Sequence, residues 1–243
     1  MGFQQPDAEL LREQLRYYDA RAEEYDDWFY RRGRYDRGEE ATVTWFKELG
    51  EVEGALDQLP LDGAELLELA PGTGLWTERL VDRAASLTAV DGSLEMIEVA
   101  KRRLGERWKL VTFTQADLFD WEPTTHYDGV VFCFWISHVP RALLNDFARK
   151  VSQALKPGGF VFFLDSRRDP RSTAGDHVLP DLGEESMIRR LHDGREFSIV
   201  KNFWEPQLLV ERFAEHGIAL TVSETPTYFQ VGVGTRRSSS PTT

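Results

Sequence analysis

The sequence predicts an α/β protein: a three-layer sandwich in which helices cover both faces of a mostly parallel sheet. Three observations carry this. Strand and helix patterns alternate from residue 64 to residue 165, a glycine turn (Pro71-Gly72-Thr73-Gly74) joins the first strand to the first core helix, and two strand-like runs separated by Thr-Pro-Thr close the chain. Alternation of this kind builds a parallel sheet, and the closing pair is short enough to run antiparallel at its edge.

In chain order, Asp7 to Asp27 carries Leu10, Leu11, Leu15, Tyr18, Ala22 and Tyr25 on one helical stripe, with Pro6 placed to open it. Arg31 to Gly38 reads as a loop and Glu39 to Leu49 as helix, with Gly50 to Gly63 leading into the core. The core is then strand Ala64–Ala70, helix Leu75–Ala85, strand Ser86–Asp91, helix Leu94–Leu104, strand Lys109–Thr114, strand Tyr127–Phe134, helix Arg141–Leu155 and strand Gly159–Asp165. Beyond it the rhythm breaks. Ser166 to Met187 is polar and turn-rich, Arg195–Lys201 alternates like a short strand, and Glu205–His216 is a helix closed by Gly217. Ile218–Glu224 and Tyr228–Thr235 are the closing strands. The expected organisation is a helical lid over 1–55, a core over 56–235 with an insertion at 166–204, and a disordered tail at 236–243.

With 243 residues the chain suffices for one sizeable core, burying roughly 70 to 75% of its unfolded surface. A net charge of −12 and a pI near 5.0 argue against nucleic acid as partner, because backbone phosphates need a concentrated basic face. The lone cysteine, Cys133, sits in an apolar run, so no internal disulfide forms and a reducing compartment fits. No run approaches the ~20 apolar residues of a membrane span. The expectation is a cytoplasmic monomer or homodimer with a small-molecule partner, no bound metal, and neither nucleic acid nor membrane as partner.

The glycine turn is a ligand cradle. Gly72 and Gly74 bare the backbone, and the helix that follows offers unpaired amides. A dinucleotide fingerprint wants a third glycine where Thr77 stands, and Glu68 would repel a pyrophosphate. That carboxylate suits a ligand carrying an amino group and a sulfonium, namely S-adenosyl-L-methionine. Asp91 follows Gly72 by 19 residues, the spacing at which an acid meets ribose hydroxyls; Asp91-Gly92-Ser93 is also readable as a helix cap. Asp117 with Leu118 ends the third strand where an adenine would lie, or caps a turn. The fourth ends in Phe134-Trp135-Ile136-Ser137-His138, facing the reacting group.

In this order the motifs resemble those of the class I S-adenosylmethionine-dependent methyltransferases, over roughly Tyr17 to Thr235. Glu68-Leu-Ala-Pro-Gly-Thr-Gly, Ala89-Val-Asp-Gly-Ser-Leu-Glu-Met-Ile, Gln115-Ala-Asp-Leu and Leu155-Lys-Pro-Gly-Gly-Phe-Val-Phe-Phe are similar to successive motifs of the family. The leading Tyr17-Tyr-Asp-Ala-Arg-Ala-Glu-Glu-Tyr-Asp resembles the N-terminal helix of its small-molecule members, which closes over the cofactor. The resemblance implies a seven-stranded, mostly parallel sheet with an antiparallel edge strand, and S-adenosylhomocysteine as product. It also implies that Ala70, Pro71, Gly72 and Gly74 line the methionine part, Asp91 the ribose, and Met96, Asp117 and Leu118 the adenine. Gly92, Ser93 and Phe134 join them as cofactor contacts, and Tyr18 and Tyr25 either reach the methionine carboxylate or the substrate or only pack the helix on the core.

Methyl transfer from a sulfonium needs alignment, exclusion of water and, for some acceptors, a base. His138 is the first candidate base and Tyr25 and Glu40 are weaker ones, His138 being equally readable as a histidine satisfied by a backbone partner. Arg167, Arg168, Arg171, Arg189, Arg190, Arg195 and Lys201 follow the fifth strand in an acidic chain. They suggest a small anionic acceptor, a carboxylate or diphosphate metabolite or natural-product intermediate, with Arg167 and Arg195 contacting it. The competing reading is a solvated face paired with neighbouring acids. Trp28 and Trp135 are candidate apolar walls. A protein that binds the cofactor without methylating, or a cyclase, is the alternative of a different class; a nicotinamide-dependent oxidoreductase is the remaining one.

Overall fold

In the computed structural model, which describes residues 7–238, five strands run parallel: β1 (Glu65–Leu69), β2 (Ser86–Asp91), β3 (Val111–Gln115), β4 (Tyr127–Cys133) and β5 (Leu155–Ser166). An antiparallel hairpin, β6 (Ser186–Arg190) and β7 (Glu196–Val200), forms the insertion. The closing pair is β8 (Ile218–Glu224) and β9 (Phe229–Arg236). The main sheet has the order β3-β2-β1-β4-β5-β9-β8, with β9 antiparallel to both neighbours. The strand order reverses between β1 and β4, and at such a reversal the carboxyl ends of the strands open a crevice.

The two faces follow from side-chain alternation. Leu66, Ala89, Val131, Phe162 and Leu164 point to one face, which α3 (Glu39–Asp57) covers with Trp45, Leu49, Val52 and Leu56. Leu67, Val90, Val130, Phe132 and Phe163 point to the other, under α6 (Leu144–Ala154) and α7 (Pro206–Glu215). Together with α4 (Thr77–Leu80) and α5 (Leu94–Leu104) these make the outer layers. The first stretch divides into α1 (Ala8–Arg21) and α2 (Tyr25–Phe29).

The differences from expectation have local causes. The leading helix breaks after Arg21, where Ala22 and Glu24 donate to carbonyls only three residues back. Asp7 caps it by accepting the Glu9 amide; Pro6 lies outside the described residues. Helix α3 runs on through Gly50 and Gly54 to Asp57. Each glycine costs roughly 1 kcal/mol, and the buried stripe of Trp45, Leu49, Val52 and Leu56 offsets that. The helix expected over Leu75–Ala85 shrinks to α4 because Arg83 and Ala85 use their backbone groups on Gly63 and Ala64 instead. Arg236, expected in the tail, ends β9 and donates to the Leu155 carbonyl; residues from 239 on lie outside the described ones. No described helix is long and apolar enough to cross a membrane.

Aromatic rings lie flat over glycines on neighbouring strands. Phe163, paired with Gly232 and stacked on Phe132, is so close that a Cβ on Gly232 would stand 2.0 Å from its ring. Gly232→Ala should therefore cost about 1–3 kcal/mol by forcing that ring out of place, read as a lowered urea midpoint; an unchanged midpoint would show that the ring moves freely.

Candidate active site

The register lines up the strand ends. Leu69 pairs with Val90 and Phe132, and Asp91 with Gln115, so Ala70, Asp91, Ala116 and Phe134 stand along one edge of the sheet. Backbone bonds continue just past the strands, from Ala70 to Val90, Ala116 to Asp91 and Phe134 to Leu164. Ala70 (φ 53°) and Phe134 (φ 58°) both take the left-handed conformation that side chains avoid. Strain of this kind collects at functional sites, and here it sits on the two strands flanking the reversal.

Asp91 organises the edge. Its Oδ2 accepts the Gly72 amide at 3.0 Å and its Oδ1 the Ser93 amide at 2.9 Å, while Ser93 Oγ accepts the Met96 amide and starts α5. Two amides use only half of a carboxylate's acceptor capacity, and Asp91 also lines the crevice. Burial pushes its carboxyl up to about 6 despite these bonds. Glu68 sits beneath the turn, with its Oε2 unpartnered; burial first, then the charge of Asp91, pushes it up to about 8.

Two cavities meet at this edge. The first, ≈ 680 Å³, is lined at the base by Ala70, Gly72, Asp91, Gly92, Met96, Asp117 and Leu118, and α1 covers it with Leu11, Gln14, Leu15 and Tyr18. A Cβ on Gly72 (φ 57°) would meet no protein atom within 4 Å, so that glycine leaves its backbone open. Gly74 (φ 82°) differs: its Cβ would stand 3.0 Å from that of Ala100, so it lets α5 approach the turn. The second cavity, ≈ 450 Å³, shares Tyr18, Tyr25, Phe134 and His138 with the first and continues between Arg21, Trp28, Ser172, Thr173, Arg189 and Lys201.

His138 stands on the shared wall. Its Nδ1 lies 2.7 Å from the Val200 carbonyl, which can only accept, so Nδ1 carries the proton; Nε2 then accepts from Tyr18 Oη at 2.8 Å. Burial, with Lys201 nearby, holds the ring well below its ordinary pKa, and it stays neutral. Burial likewise raises the hydroxyls of Tyr18 and Tyr25. None of these groups is poised to take a proton.

The second cavity is cationic and buried. Lys201 is held by Ser137 Oγ at 2.8 Å and lies 3.5 Å from the buried Asp165. Arg21 stacks on Tyr25, 4.6 Å from its ring centre, and reaches Tyr35 Oη at 3.4 Å. Arg189 donates to Thr173 Oγ1. Among the described residues no carboxylate pairs with Arg21 or Arg189, and the Nε of each is buried without a partner.

The predicted residues thus divide. Tyr18, Ala70, Gly72, Asp91, Gly92, Met96, Asp117, Leu118 and Phe134 line the first cavity, while Tyr25 and His138 line both. Glu68, Pro71, Gly74 and Ser93 stand behind it as support rather than as lining. Trp28 lines the second cavity; Trp135 lines the first, beside Phe119. Glu40 is exposed and lines neither cavity. Arg167 is spent on Glu224 and the carbonyls of Thr225 and Pro226, and Arg195 is exposed beside Asp193. Arg189 and Lys201 are the members of the basic set that reach the site. Gln14 and Arg21 also reach the cavities, and the signal that marks them in the sequence is a polar residue on the apolar stripe of α1.

Residues 66–159 match a family described as methyltransferase domain. A solved structure described as a DhpI–SAH complex is 34% identical, with 96% of this chain and 99% of that one covered and a TM-score of 0.75; a DhpI–SAM–HEP complex is 35% identical over 95% and 99%, also at 0.75. A ubiquinone biosynthesis O-methyltransferase of Nitrosospira multiformis is 28% identical over 156 residues, 61% of this chain and 63% of the relative's length. The chain belongs to the class I S-adenosylmethionine-dependent methyltransferases. Its first cavity fits that cofactor: an open glycine backbone, an aspartate with acceptor capacity to spare, and apolar walls at Met96 and Leu118 for an aromatic base.

Folded Glu68 keeps its proton to about pH 8, whereas the unfolded chain loses it near the ordinary value of 4.5. Between those values the unfolded state binds fewer protons, so the contribution of Glu68 to stability falls as pH rises. Glu68→Gln removes this dependence, and its Tm advantage over the wild type should grow from pH 5 to pH 8. A gap that stays constant or shrinks contradicts a buried neutral carboxyl.

Proposed function

We propose that this methyltransferase acts on a small oxyanion, a carboxylate or phosphate metabolite held in the second cavity. The observation that carries the proposal is the pair of buried guanidinium groups, Arg21 and Arg189, whose Nε–H donors have no partner. Burying a charge without a counterion is costly, and an anion between two such groups removes the cost. Lys201 adds a third cation, of which Asp165 balances one charge. The cofactor supplies the activated methyl group. What remains for the protein is to aim an oxygen across the shared wall of Tyr18, Tyr25, Phe134 and His138 and to exclude water.

The absence of a poised base on that wall supports the same reading. An oxyanion arrives already deprotonated, so it needs none. In this account His138 orients Tyr18 by accepting a hydrogen bond from its hydroxyl rather than acting as a free base. Methylation of a neutral phenol, which the names of the ubiquinone-pathway relatives bring forward, would leave the two arginines unpaired. Assaying methyl release to a panel of small carboxylates, phosphates and neutral phenols tests the reading; turnover of phenols alone would contradict it.

Arg21→Leu and Arg189→Met should each raise KM for the anionic acceptor by about tenfold or more, the worth of a hydrogen bond to a charged group. Affinity for S-adenosylhomocysteine, measured by calorimetry, should stay within about threefold, since neither arginine lines the first cavity. Equal losses in both measurements would place these residues in the scaffold instead.

A further inference from the structure

Thr73 stands between the two left-handed glycines of the turn, buried, and its hydroxyl and its carbonyl are both engaged by one ion pair. Its hydroxyl donates to Asp26 Oδ1 at 2.7 Å, and its carbonyl accepts from Arg103 Nε at 2.7 Å. Arg103 Nη2 closes the ring by pairing with Asp26 Oδ2, with Glu78 at 3.8 Å as a weaker second partner. Three separate parts of the chain meet here. Asp26 belongs to α2, next to Tyr25 on the shared wall; Arg103 belongs to α5, which also carries Met96 in the first cavity; Thr73 is the turn itself.

We propose that Arg103 is a positioning residue that latches the α1–α2 segment to the glycine turn, so that closure over the cofactor and the ligand-ready shape of the turn occur together. A partly exposed ion pair adds little to overall stability; the side chains of Arg103 and Asp26 are 15% and 28% exposed. What this pair holds is geometry. With the latch made, the Gly72 amide stays aimed at Asp91 and the backbone between the glycines cannot turn over, while Tyr25 is fixed at the boundary of the two cavities. With it broken, α2 is no longer tied to the turn, and the cofactor site loses part of its preorganisation and of its cover in one event.

The test uses the full chain and S-adenosylhomocysteine, with dissociation rate and affinity scored per folded molecule alongside the Tm of the ligand-free protein. Arg103→Leu and Asp26→Asn should each speed dissociation by about tenfold, and the double variant should be no worse than the worse single one, because both changes break one unit. Arg103→Lys, which keeps the charge but loses the Nε donor to the Thr73 carbonyl, should recover part of the loss. Thr73→Val removes only the hydroxyl and should give a smaller increase of the same kind, a readout that survives if Arg103→Leu fails to fold. Dissociation within twofold of wild type in Asp26→Asn and Thr73→Val overturns the proposal, as do additive effects in the double variant. So does a loss that disappears when scored per folded molecule.

Discussion

The side-chain amide of Gln14, buried within α1, donates to the His138 carbonyl at 3.2 Å and accepts the Val200 amide at 3.0 Å, joining the first helix to the segment after β4 and to the insertion hairpin. Glu13 adds a bond to the Ser198 amide, and Tyr18 donates to His138. The site depends on this docking. With α1 undocked, the first cavity would be an open trough at the edge of the sheet and Arg21 would be solvated. With it, Tyr17, Met187, Leu191 and Ile199 close into an apolar cluster of their own, and Arg21 is carried into the interior beside Tyr25 and Tyr35.

From this docking follows a division of labour across the wall of Tyr18, Tyr25, Phe134 and His138. On the sheet side, the polar lining groups are backbone and carboxylate: Gly72, Asp91 and Asp117, set by strand ends and glycine geometry. On the other side they are cations, drawn from α1, β6 and the residue after β7. The sheet side suits a ligand shared by the family; the cationic side is built from segments outside the core sheet. If the second cavity takes the proposed oxyanion, charge separates the two ligands before shape does, because an anion gains nothing beside Asp91, and an amino or sulfonium group gains nothing beside Arg21 and Arg189.

The parts legible in the sequence were those whose cause is local. Strands Ser86–Asp91 and Ile218–Glu224 and helix Leu94–Leu104 occupy the residues their patterns indicate, the helix because Ser93 caps it. Helix α4 is shorter than the pattern over Leu75–Ala85 indicates because Gly63 and Ala64, distant in pattern though near in space, compete for its backbone groups. Gly72 and Gly74 look alike in sequence, yet one bares the backbone to a ligand and the other admits Ala100. Among the basic residues, Arg195 finds a partner two positions away in Asp193 and Arg167 a distant one in Glu224, while Arg21 and Arg189 are buried where the β6–β7 hairpin packs against α1. No spacing rule encodes that long-range contact, so the acceptor side was the least readable part.

The most direct measurement of the central claim is a crystal structure of the protein with S-adenosylhomocysteine, grown with saturating inorganic phosphate. The account predicts phosphate in the second cavity, accepting from the Nε–H groups of Arg21 and Arg189 and facing the cofactor sulfur across the wall formed by Tyr18 and Phe134. A cavity holding only water under those conditions, or a phosphate bound elsewhere with both guanidinium groups still unpaired, would contradict it.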